Sequence, residues 1–317
     1  MKLAAIVIWY NPEQMEDNVA IKNVLSYSEH VQKVYIIDNS NSDNSKLASN
    51  IKNSVYVANK KNLGIAKALN IGCKRAYDDH FDWVITMDQD GYFENNEFKK
   101  YIKLVDSKIL SNPKIKSYYC SQNESQQFEP IIRRIKRNII RTVTFSFFNK
   151  DKKESKGNEL DECITSANII NLKTWEELGG FDDFLFIDWV DIDFCYRLKE
   201  NGYKIQSVRE CYSNHTLGNV NMNKWVGGYV IYNDFRMYHI IRNYKIMCKR
   251  HHLSKLAKYR AFSLVCHYCI CSKHPIRHLK VLIKAHKDFS ALKNSIGYTF
   301  KSTDIISKIS NNITAGI

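Results

Sequence analysis

The chain has 317 residues, a length that allows one large α/β domain or two smaller ones. Its 44% hydrophobic residues, 12 Gly and 4 Pro exclude a disordered, collagen-like or disulfide-stapled protein. The net charge is +14. No apolar run reaches the roughly 18 residues of a membrane span. The apolar start at residues 3–10 is too short for a secretory signal, so we expect a cytoplasmic protein.

Short apolar runs alternate with helical patterns in the first part of the chain. Asn11 is predicted to be the N-cap of the first helix, because its side chain can accept N–H groups and Pro12 fits the first helical position. Strands that alternate with helices favour a mainly parallel sheet, so we expect an α/β, Rossmann-like fold. The predicted strands are residues 3–9, 31–38, 54–58 and 82–87, and the predicted helices begin at Pro12, follow the loop 39–44 and span residues 64–77.

Polar residues gather where these strands end. Sheets of this kind bind ligands beyond the carboxyl ends of their strands. The chain has no GxGxxG after the first strand and no GxxxxGK[ST], which excludes the commonest dinucleotide oxidoreductases and P-loop NTPases. The polar strand ends are Tyr10-Asn11, Asp38-Asn39, the segment 59–64 with Asn62 and Gly64, and Asp88-Gln89-Asp90.

Asp88 and Asp90 are candidate metal ligands. They follow an apolar strand directly, and carboxylate oxygens suit Mg²⁺ or Mn²⁺ that is bound to phosphates. A plain turn is the commoner explanation for such a tripeptide alone, since Asp often bonds to nearby backbone. Its place at a strand end favours the metal site.

A second acidic cluster occupies residues 188–193. Asp188 is a predicted N-cap, which would put Asp191 in the first helical turn, and a purely structural role there would also be reasonable. Asp193 precedes Arg197 by four residues, so we predict that these two form an ion pair. Asp191 is therefore the better candidate for a catalytic carboxylate.

Six short motifs occur in a fixed order along the chain: Trp9-Tyr10-Asn11, Ile37-Asp38-Asn39-Ser40, Asn62-Leu63-Gly64 with Leu69-Asn70, Asp88-Gln89-Asp90, Gly180-Phe181-Asp182 and Asp188-Trp189-Val190-Asp191. In this order they resemble the family 2 glycosyltransferases. His215-Thr216-Leu217-Gly218 and Tyr238 with Arg242-Asn243 more narrowly resemble the bacterial rhamnosyltransferase branch. The resemblance spans about residues 3–290 and implies a GT-A fold, with a nucleotide-sugar-binding half at 1–110 and an acceptor half at 111–240.

The resemblance implies an inverting, metal-dependent transfer in the synthesis of bacterial surface polysaccharides such as O-antigen. Asp191 matches the general base, and Asp38 would receive the nucleotide base. Asp88 and Asp90 would meet the ribose and the metal-bound diphosphate, and His215 would complete the Mg²⁺ or Mn²⁺ site. The remaining expected substrate-binding residues are Tyr10, Asn11, Asn39, Asn62, Gly64, Gln89, Asp188 and Trp189. The expected donor is dTDP-rhamnose, with a UDP-sugar as the alternative, and the expected acceptor is a glycan or a polyprenyl-diphosphate-linked saccharide.

Most of the excess charge lies near the C-terminus. Residues 241–317 contain 15 Lys and Arg but only two acidic residues, Asp288 and Asp304. We expect a basic helical region that binds the anionic inner face of the cytoplasmic membrane, and a helical hairpin packed on the core is equally compatible. A second basic run, residues 133–141, could bind the diphosphate of a lipid-linked acceptor.

A basic nucleic-acid-binding protein is the main non-enzyme alternative. The pI near 9.2 fits that class. Carboxylates at the strand ends would repel a phosphate backbone, and no helix-turn-helix, zinc-finger or RNP motif is present. We therefore expect no nucleic-acid partner. A sugar nucleotidyltransferase would begin with a Gly-rich, Arg-containing loop, which Trp9-Tyr10-Asn11-Pro12-Glu13 is not.

Overall fold

The computed structural model describes residues 1–15, 18–122, 158–215, 221–223, 227–229, 233–252 and 275–292. The strands are β1 (Leu3–Trp9), β2 (Lys33–Asp38), β3 (Ser54–Ala58), β4 (Trp83–Asp88), β5 (Gly91–Tyr92), β6 (Ile115–Gln122), β7 (Glu159–Leu160), β8 (Asn168–Asn171), β9 (Lys204–His215), β10 (Asn221–Asn223) and β11 (Gly227–Tyr229). The helices are α1 (Val19–Ser28), α2 (Ser45–Ala48), α3 (Ile65–Asp78), α4 (Glu97–Ile109), α5 (Leu172–Glu177), α6 (Val190–Glu200), α7 (Asp234–Arg250) and α8 (Pro275–Leu292). The predicted basic run at 133–141 lies outside the described residues.

A single curled sheet carries the fold, in the order β3-β2-β1-β4-β8-β6-β9-β5. The first four strands of that order are parallel, and β1 pairs with both β2 and β4. Every residue of β1 is buried, as expected for a strand that helices cover on both faces. The α/β fold with a mainly parallel N-terminal sheet is therefore confirmed.

The second half of the sheet mixes directions. Strand β8 pairs antiparallel with β4 on one side and with β6 on the other. The long strand β9 runs parallel to β6, and β5 pairs antiparallel with its far end. Gly91 of β5 is thereby opposite His215 of β9. Two distant parts of the chain meet at the end of β4.

Two apolar cores lie on the two faces of the sheet. Alternate residues of β1 point into each core, with Val7 on one side and Ile6 on the other. Helices α1 and α4 cover the first face, and α3, α5 and α6 cover the second. Helix α3 approaches closely because Gly72 has no side chain: a Cβ there would lie 2.5 Å from Ile6.

Asn11 occupies the predicted N-cap position before Pro12, but the predicted side-chain cap does not form. Asn11 has a left-handed backbone with φ 49°, and its side chain accepts no capping hydrogen bond. Its N–H group donates to Ser40 Oγ at 2.7 Å, which ties the segment to the loop after β2. Only a short 3₁₀ turn, Pro12–Gln14, follows, and the α-helix starts at Val19.

The predicted bounds of β2, β4 and α3 differ from the observed ones by one or two residues. Strand β2 begins at Lys33 rather than at residue 31, and β4 spans Trp83–Asp88 rather than residues 82–87. Helix α3 spans Ile65–Asp78, and β3 has the predicted bounds.

Helices α7 and α8 form the described part of the C-terminal region. Tyr238 of α7 donates a 2.6 Å hydrogen bond to Asp288 of α8, and Met237, Ile241 and Ala285 pack beside it. The change of composition at residue 240 therefore falls inside α7 rather than between elements. In the described part of the chain, no helix is long and apolar enough to cross a membrane.

Candidate active site

Hydrogen bonds to main-chain groups connect the loops after β1, β2 and β4. The Tyr10 N–H group donates to Gln89 Oε1 at 2.8 Å, and the Asn39 N–H group donates to the Trp9 carbonyl at 2.8 Å. Asn23 of α1 donates from Nδ2 to the Gln89 carbonyl at 2.9 Å. The predicted strand-end residues therefore lie along one edge of the sheet, as parallel strands require.

Asp38 is buried at the end of β2 and holds the loop that follows. Its Oδ1 atom accepts from the backbone N–H of Ser40 at 2.8 Å and also from the Ser40 hydroxyl. Its Oδ2 atom accepts from Asn44 Nδ2 at 2.9 Å and from the Tyr56 hydroxyl at 2.7 Å. Both oxygens are thus engaged with protein donors, and a nucleotide base that bound Asp38 would have to replace one of them.

A chain of amides connects β2 to the start of α3. Asn39 Nδ2 donates to the Gly64 carbonyl at 3.1 Å, and Asn59 Nδ2 donates to Asn39 Oδ1 at 2.9 Å. Asn62 Oδ1 accepts from the Gly64 N–H group at 2.9 Å. Gly64 has φ 82°, a conformation that favours glycine. The exposed Asn62 side chain and the rigid Gly64 turn border the same edge of the sheet.

Asp88 and Asp90 flank Gln89 at the end of β4, and both are partly exposed. The pairing of Gly91 with His215 brings the main chain of His215 next to this motif. The side chain of His215 is outside the described part of the structure. No group of three His, Cys, Asp or Glu side chains that could hold a metal occurs among the described residues. The two carboxylates supply hard oxygen donors, which fit Mg²⁺ or Mn²⁺.

Asp191 lies in the first turn of α6 and is partly buried. Its Oδ2 atom accepts from the Thr165 N–H group at 3.2 Å, and its Oδ1 atom accepts from the Ile192 N–H group at 2.9 Å. Burial raises the pKa of Asp191 to about 6; the Ile192 hydrogen bond opposes this shift and the negative charge of Asp88 adds to it. The negative charge of Asp88 therefore contributes to the electrostatic environment of the Asp191 carboxylate.

The predicted N-cap role of Asp188 is wrong. Helix α6 begins at Val190, and the residue before it is Trp189, in a left-handed conformation with φ 70°. Asp188 is instead held by Arg236 of α7, whose Nε and Nη2 atoms lie 3.0–3.3 Å from its two oxygens. Trp189 Nε1 donates to the Ile240 carbonyl at 3.1 Å. Contacts with α7 therefore hold both of the residues that precede α6.

A family model for glycosyl transferase family 2 matches residues 6–173, which is more than half of the chain. The chain belongs to this family. It is also 25% identical over 291 residues to the dTDP-rhamnosyl transferase RfbF of Shigella flexneri, a match that covers 90% of this chain and 94% of the relative. It is a family 2 glycosyltransferase that resembles the rhamnosyltransferases.

Solved structures share the fold of this glycosyltransferase. The crystal structure of GalNAc-T7 with UDP, GalNAc and Mn²⁺ matches with a TM-score of 0.54 at 15% identity, over 99% of this chain. This chain spans only 58% of the GalNAc-T7 chain. The structure of residues 1–349 of S. aureus TarS in complex with UDP-GlcNAc matches with a TM-score of 0.52 at 14% identity, over 98% of this chain and 88% of that one. The GT-A fold expected from the sequence is therefore confirmed.

The predicted ion pair between Asp193 and Arg197 of the glycosyltransferase is confirmed. Arg197 Nε lies 2.8 Å from Asp193 Oδ2. Two partners were not predicted: Arg250 Nη1 and His251 Nε2 lie 2.6 and 3.0 Å from Asp193 Oδ1. Burial alone would raise the pKa of Asp193, but the His251 hydrogen bond and the two guanidinium charges hold it well below its usual range. Asp193 therefore anchors α6 to the end of α7.

Tyr119 of β6 is a residue that the sequence did not single out. It is half-buried, and the negative charges of Asp88 and Asp191 both add to the rise that burial causes in its pKa. Both candidate carboxylates therefore contribute to the electrostatic environment of Tyr119. Tyrosines are common in strands, so no local pattern marks Tyr119, and only the pairing of β6 with β8 brings it here.

Proposed function

We propose that this glycosyltransferase moves L-rhamnose from dTDP-rhamnose onto a hydroxyl group of a glycan or polyprenyl-diphosphate-linked acceptor, with inversion at the anomeric carbon. The observation that carries the proposal is the carboxylate of Asp191, which lies in the first turn of α6 and accepts hydrogen bonds from the Thr165 and Ile192 N–H groups, and whose pKa burial raises. The similarity to the dTDP-rhamnosyl transferase RfbF supports the choice of sugar and nucleotide.

Asp191 acts as the general base in this proposal. It takes the proton of the acceptor hydroxyl as that oxygen forms a bond to the anomeric carbon, and the bond from that carbon to the diphosphate breaks. The products are the glycosylated acceptor and dTDP. A direct displacement inverts the configuration and needs no enzyme nucleophile. A base with a pKa near 6 is ionised at neutral pH and is still basic enough to assist the reaction.

Asp88 and Asp90 would hold Mg²⁺ or Mn²⁺, with His215 as the third proposed ligand. Such a cation, when bound, offsets the negative charge that builds up on the leaving diphosphate. Gln89 joins the metal motif to the first strand end by accepting from the Tyr10 N–H group. The motif is therefore fixed relative to the nucleotide pocket.

The nucleotide pocket in this proposal is formed by the loops after β1, β2 and β3. The side chain of Tyr10 is 50% exposed, so its ring is free to stack on a nucleotide base. Asn11 and Asn62 supply hydrogen bonds at the two sides of the pocket. Asp38 and Asn39 are buried and keep the loops in place. Gly64 lets the backbone approach closely at the start of α3.

A UDP-sugar is the second candidate donor. Structures of GalNAc-T7 with UDP and of TarS with UDP-GlcNAc share this fold. Their identity to this chain is 14–15%, against 25% for RfbF, so we favour dTDP-rhamnose.

We also propose an anionic membrane surface as a partner, which would bring the enzyme to a lipid-linked acceptor in the synthesis of surface polysaccharide. One face of α8 packs on α7, while the opposite face exposes apolar and basic residues together. The side chains of Ile276, Leu279 and Ile283 are 74%, 52% and 47% exposed. Lys280 and Lys287 are exposed on the same face. Apolar and cationic groups on one helix face suit the surface of an anionic bilayer.

Release of the nucleoside diphosphate tests the reaction and the donor. Purified protein is incubated with dTDP-rhamnose, UDP-glucose or UDP-GlcNAc, with Mg²⁺, Mn²⁺ or EDTA. We expect turnover of dTDP-rhamnose that depends on the cation and is lost in the Asp90→Ala variant. Asp161→Ala, which removes an exposed carboxylate paired with Lys199, is the matched control. Full activity in EDTA would contradict the metal role, and binding of labelled DNA without any donor turnover would support the non-enzyme alternative.

A further inference from the structure

The loop that leads into α6 has a backbone geometry that residues with side chains rarely adopt. Phe186, Asp188 and Trp189 have φ angles of 64°, 60° and 70°. Strained conformations of this kind persist only where the surrounding structure holds them. The last of the three residues is two positions before Asp191. The position of Asp191 therefore depends on whatever holds this loop.

One side chain of α7, that of Asn243, contacts three carbonyl groups of the loop. The Nδ2 atom of Asn243 lies 2.7, 2.8 and 3.0 Å from the carbonyl oxygens of Leu185, Ile187 and Asp188. Asn243 is fully buried. Its Oδ1 atom accepts from Arg242 Nε at 2.9 Å, and this bond fixes which side of the amide faces the loop.

The fourth carbonyl of the loop, that of Phe186, is bound by the start of α3. The Phe186 oxygen accepts from the N–H groups of Ile65 and Ala66 at 2.7 and 3.3 Å. A Cβ at Gly64 would lie only 2.6 Å from this same oxygen. The loop therefore bridges the start of α3, which follows the proposed nucleotide pocket, and the start of α6, which carries the proposed base.

We infer that Asn243 is a positioning residue for the transfer reaction. It sets the distance between Asp191, the proposed base, and the start of α3, and it touches neither substrate nor Asp191. The inference rests on the proposed role of Asp191. Without the three carbonyl contacts, the loop can relax to ordinary φ angles and Asp191 moves with it. The start of α3 keeps its own hydrogen bonds to Asn39 and Asn62, so donor binding persists.

Asn243→Asp is the variant that isolates this role. The change keeps the shape and the acceptor for Arg242 but removes the donors to the loop. Asn53→Asp is the matched control, because Asn53 Nδ2 also donates to two carbonyls, those of Ser28 and Val31, at 2.8 and 3.0 Å. Those contacts lie at the opposite end of the parallel strands from the site.

The measurements are the melting temperature, the Kd for dTDP, and kcat for the nucleotide sugar that the wild-type enzyme turns over. We expect Asn243→Asp to lower kcat by roughly 10–100-fold, since a small misplacement of a reacting group is costly, and to change the Kd by less than about threefold. Asn53→Asp should lower the melting temperature and leave kcat within about threefold of wild type.

Two results would overturn the inference: a normal kcat in Asn243→Asp, or an equal loss of kcat in Asn53→Asp at a matched loss of stability. If Asn243→Asp does not fold, Arg242→Lys tests the same anchor. Arg242 Nη2 donates to the carbonyls of Phe184 and Leu185 at 2.7 and 3.3 Å, and a lysine cannot make both contacts in the same geometry. A normal kcat there would equally reject the idea. A wild-type enzyme that turns over no nucleotide sugar would reject the proposed function instead.

Discussion

Asp191 and Asp193 lie two positions apart in α6, yet their environments shift their pKa values in opposite directions. Asp191 is partly buried, and burial, with the added negative charge of Asp88, raises its pKa to about 6 although backbone N–H groups oppose the shift. Asp193 is buried among Arg197, Arg250 and His251, so its pKa falls well below the usual range. The first environment prepares a group to exchange a proton, and the second keeps a permanent charge.

Replacement of Asp191 by Asn tests the base directly. Asn has nearly the same shape but cannot take the proton, so kcat should fall by roughly 10²–10⁴-fold while donor affinity stays the same. In the wild-type enzyme, kcat/KM should fall below a pH of about 6, because Asp191 is then protonated in the free enzyme. Steady-state kinetics from pH 5 to 8 measure both effects. Near-normal turnover in this variant, with Asp188→Asn inactive, would show that the wrong carboxylate was chosen.

The same substitution should stabilise the protein. The folded-state pKa of Asp191 lies above its unfolded value, so the folded chain binds more protons between a pH of about 4 and 6, and stability falls as pH rises through that window. Asn cannot ionise, so it causes no such loss of stability as pH rises. We expect Asp191→Asn to gain about 1–3 kcal/mol of unfolding free energy at pH 7 and to lose this advantage near pH 4. Urea unfolding at both pH values, with Asp161→Asn as a surface control, measures the difference.

Asp193→Asn should act on stability rather than on the chemical step. It removes the negative charge that Arg197 and Arg250 share in a buried site. Breaking a buried ion pair on one side costs about 3–5 kcal/mol. Chemical denaturation at pH 7 should show this loss, and enzyme that remains folded at low temperature should keep most of its kcat. A variant as stable as wild type would contradict the structural role of Asp193.

At the scale of elements, α7 carries a titratable group that makes folding sensitive to acid. His239 is buried between the rings of Phe186 and Phe235, and its Nδ1 atom has no hydrogen-bond partner among the residues that the structure describes. Burial, with the nearby charge of Arg242, lowers the pKa of His239 to about 3. The neutral ring is therefore the form that fits this helix.

The pH dependence of stability follows from that shift. The unfolded chain binds a proton at His239 below a pH of about 6.5 and the folded chain does not, so stability is complete above this pH and is lost as pH falls. Each pH unit costs about 1.4 kcal/mol between a pH of roughly 6 and 4. His239→Phe should show a shallower decline in unfolding free energy over this range. The exposed His80, changed to Asn, is the control, and an unchanged slope in His239→Phe would refute the assignment.

The elements themselves were largely predictable, and their ends were less so. Continuous apolar runs predicted β1 and β3 with their observed bounds because period and length were unambiguous. The side-chain cap of Asn11 and the N-cap position of Asp188 were mispredicted for a shared reason. Each residue has a side chain that suits an N-cap, but a group that is distant in the sequence binds it. Ser40 accepts from the Asn11 backbone N–H group, and Arg236 binds the Asp188 carboxylate.

At the scale of the whole molecule, the strand-end residues could be predicted as one site because parallel strands bring their carboxyl ends together. The partners on α7 could not. Arg236 is 48 residues from Asp188 in the sequence, and no periodicity relates them. Tyr119 was missed for the same reason, since it reaches the site through strand order alone. The motif Arg242-Asn243 was noticed by resemblance, but its contacts with the loop before α6 required the fold.

The proposed membrane face of α8 is testable by binding to vesicles. Lys280→Glu with Lys287→Glu should weaken binding to vesicles that contain phosphatidylglycerol by at least about tenfold at low salt, since each cation near the surface contributes about 1 kcal/mol. Ile276→Ser with Ile283→Ser should weaken binding at high salt as well. Lys52→Glu with Lys99→Glu, both exposed elsewhere, is the control pair. Equal partitioning of all variants would assign α8 a purely structural role.

The span of the family match has a consequence for engineering. The matched region ends at residue 173, so it contains the Asp88-Gln89-Asp90 motif, but it leaves out Asp191 and all of α7. Helices α6 and α7 are joined through Asp188 with Arg236 and through Asp193 with Arg250, and a cut between them would break both pairs. A chimera between relatives should therefore carry residues 174–252 as one piece, with the crossover placed at α5 rather than at the change of composition near residue 240.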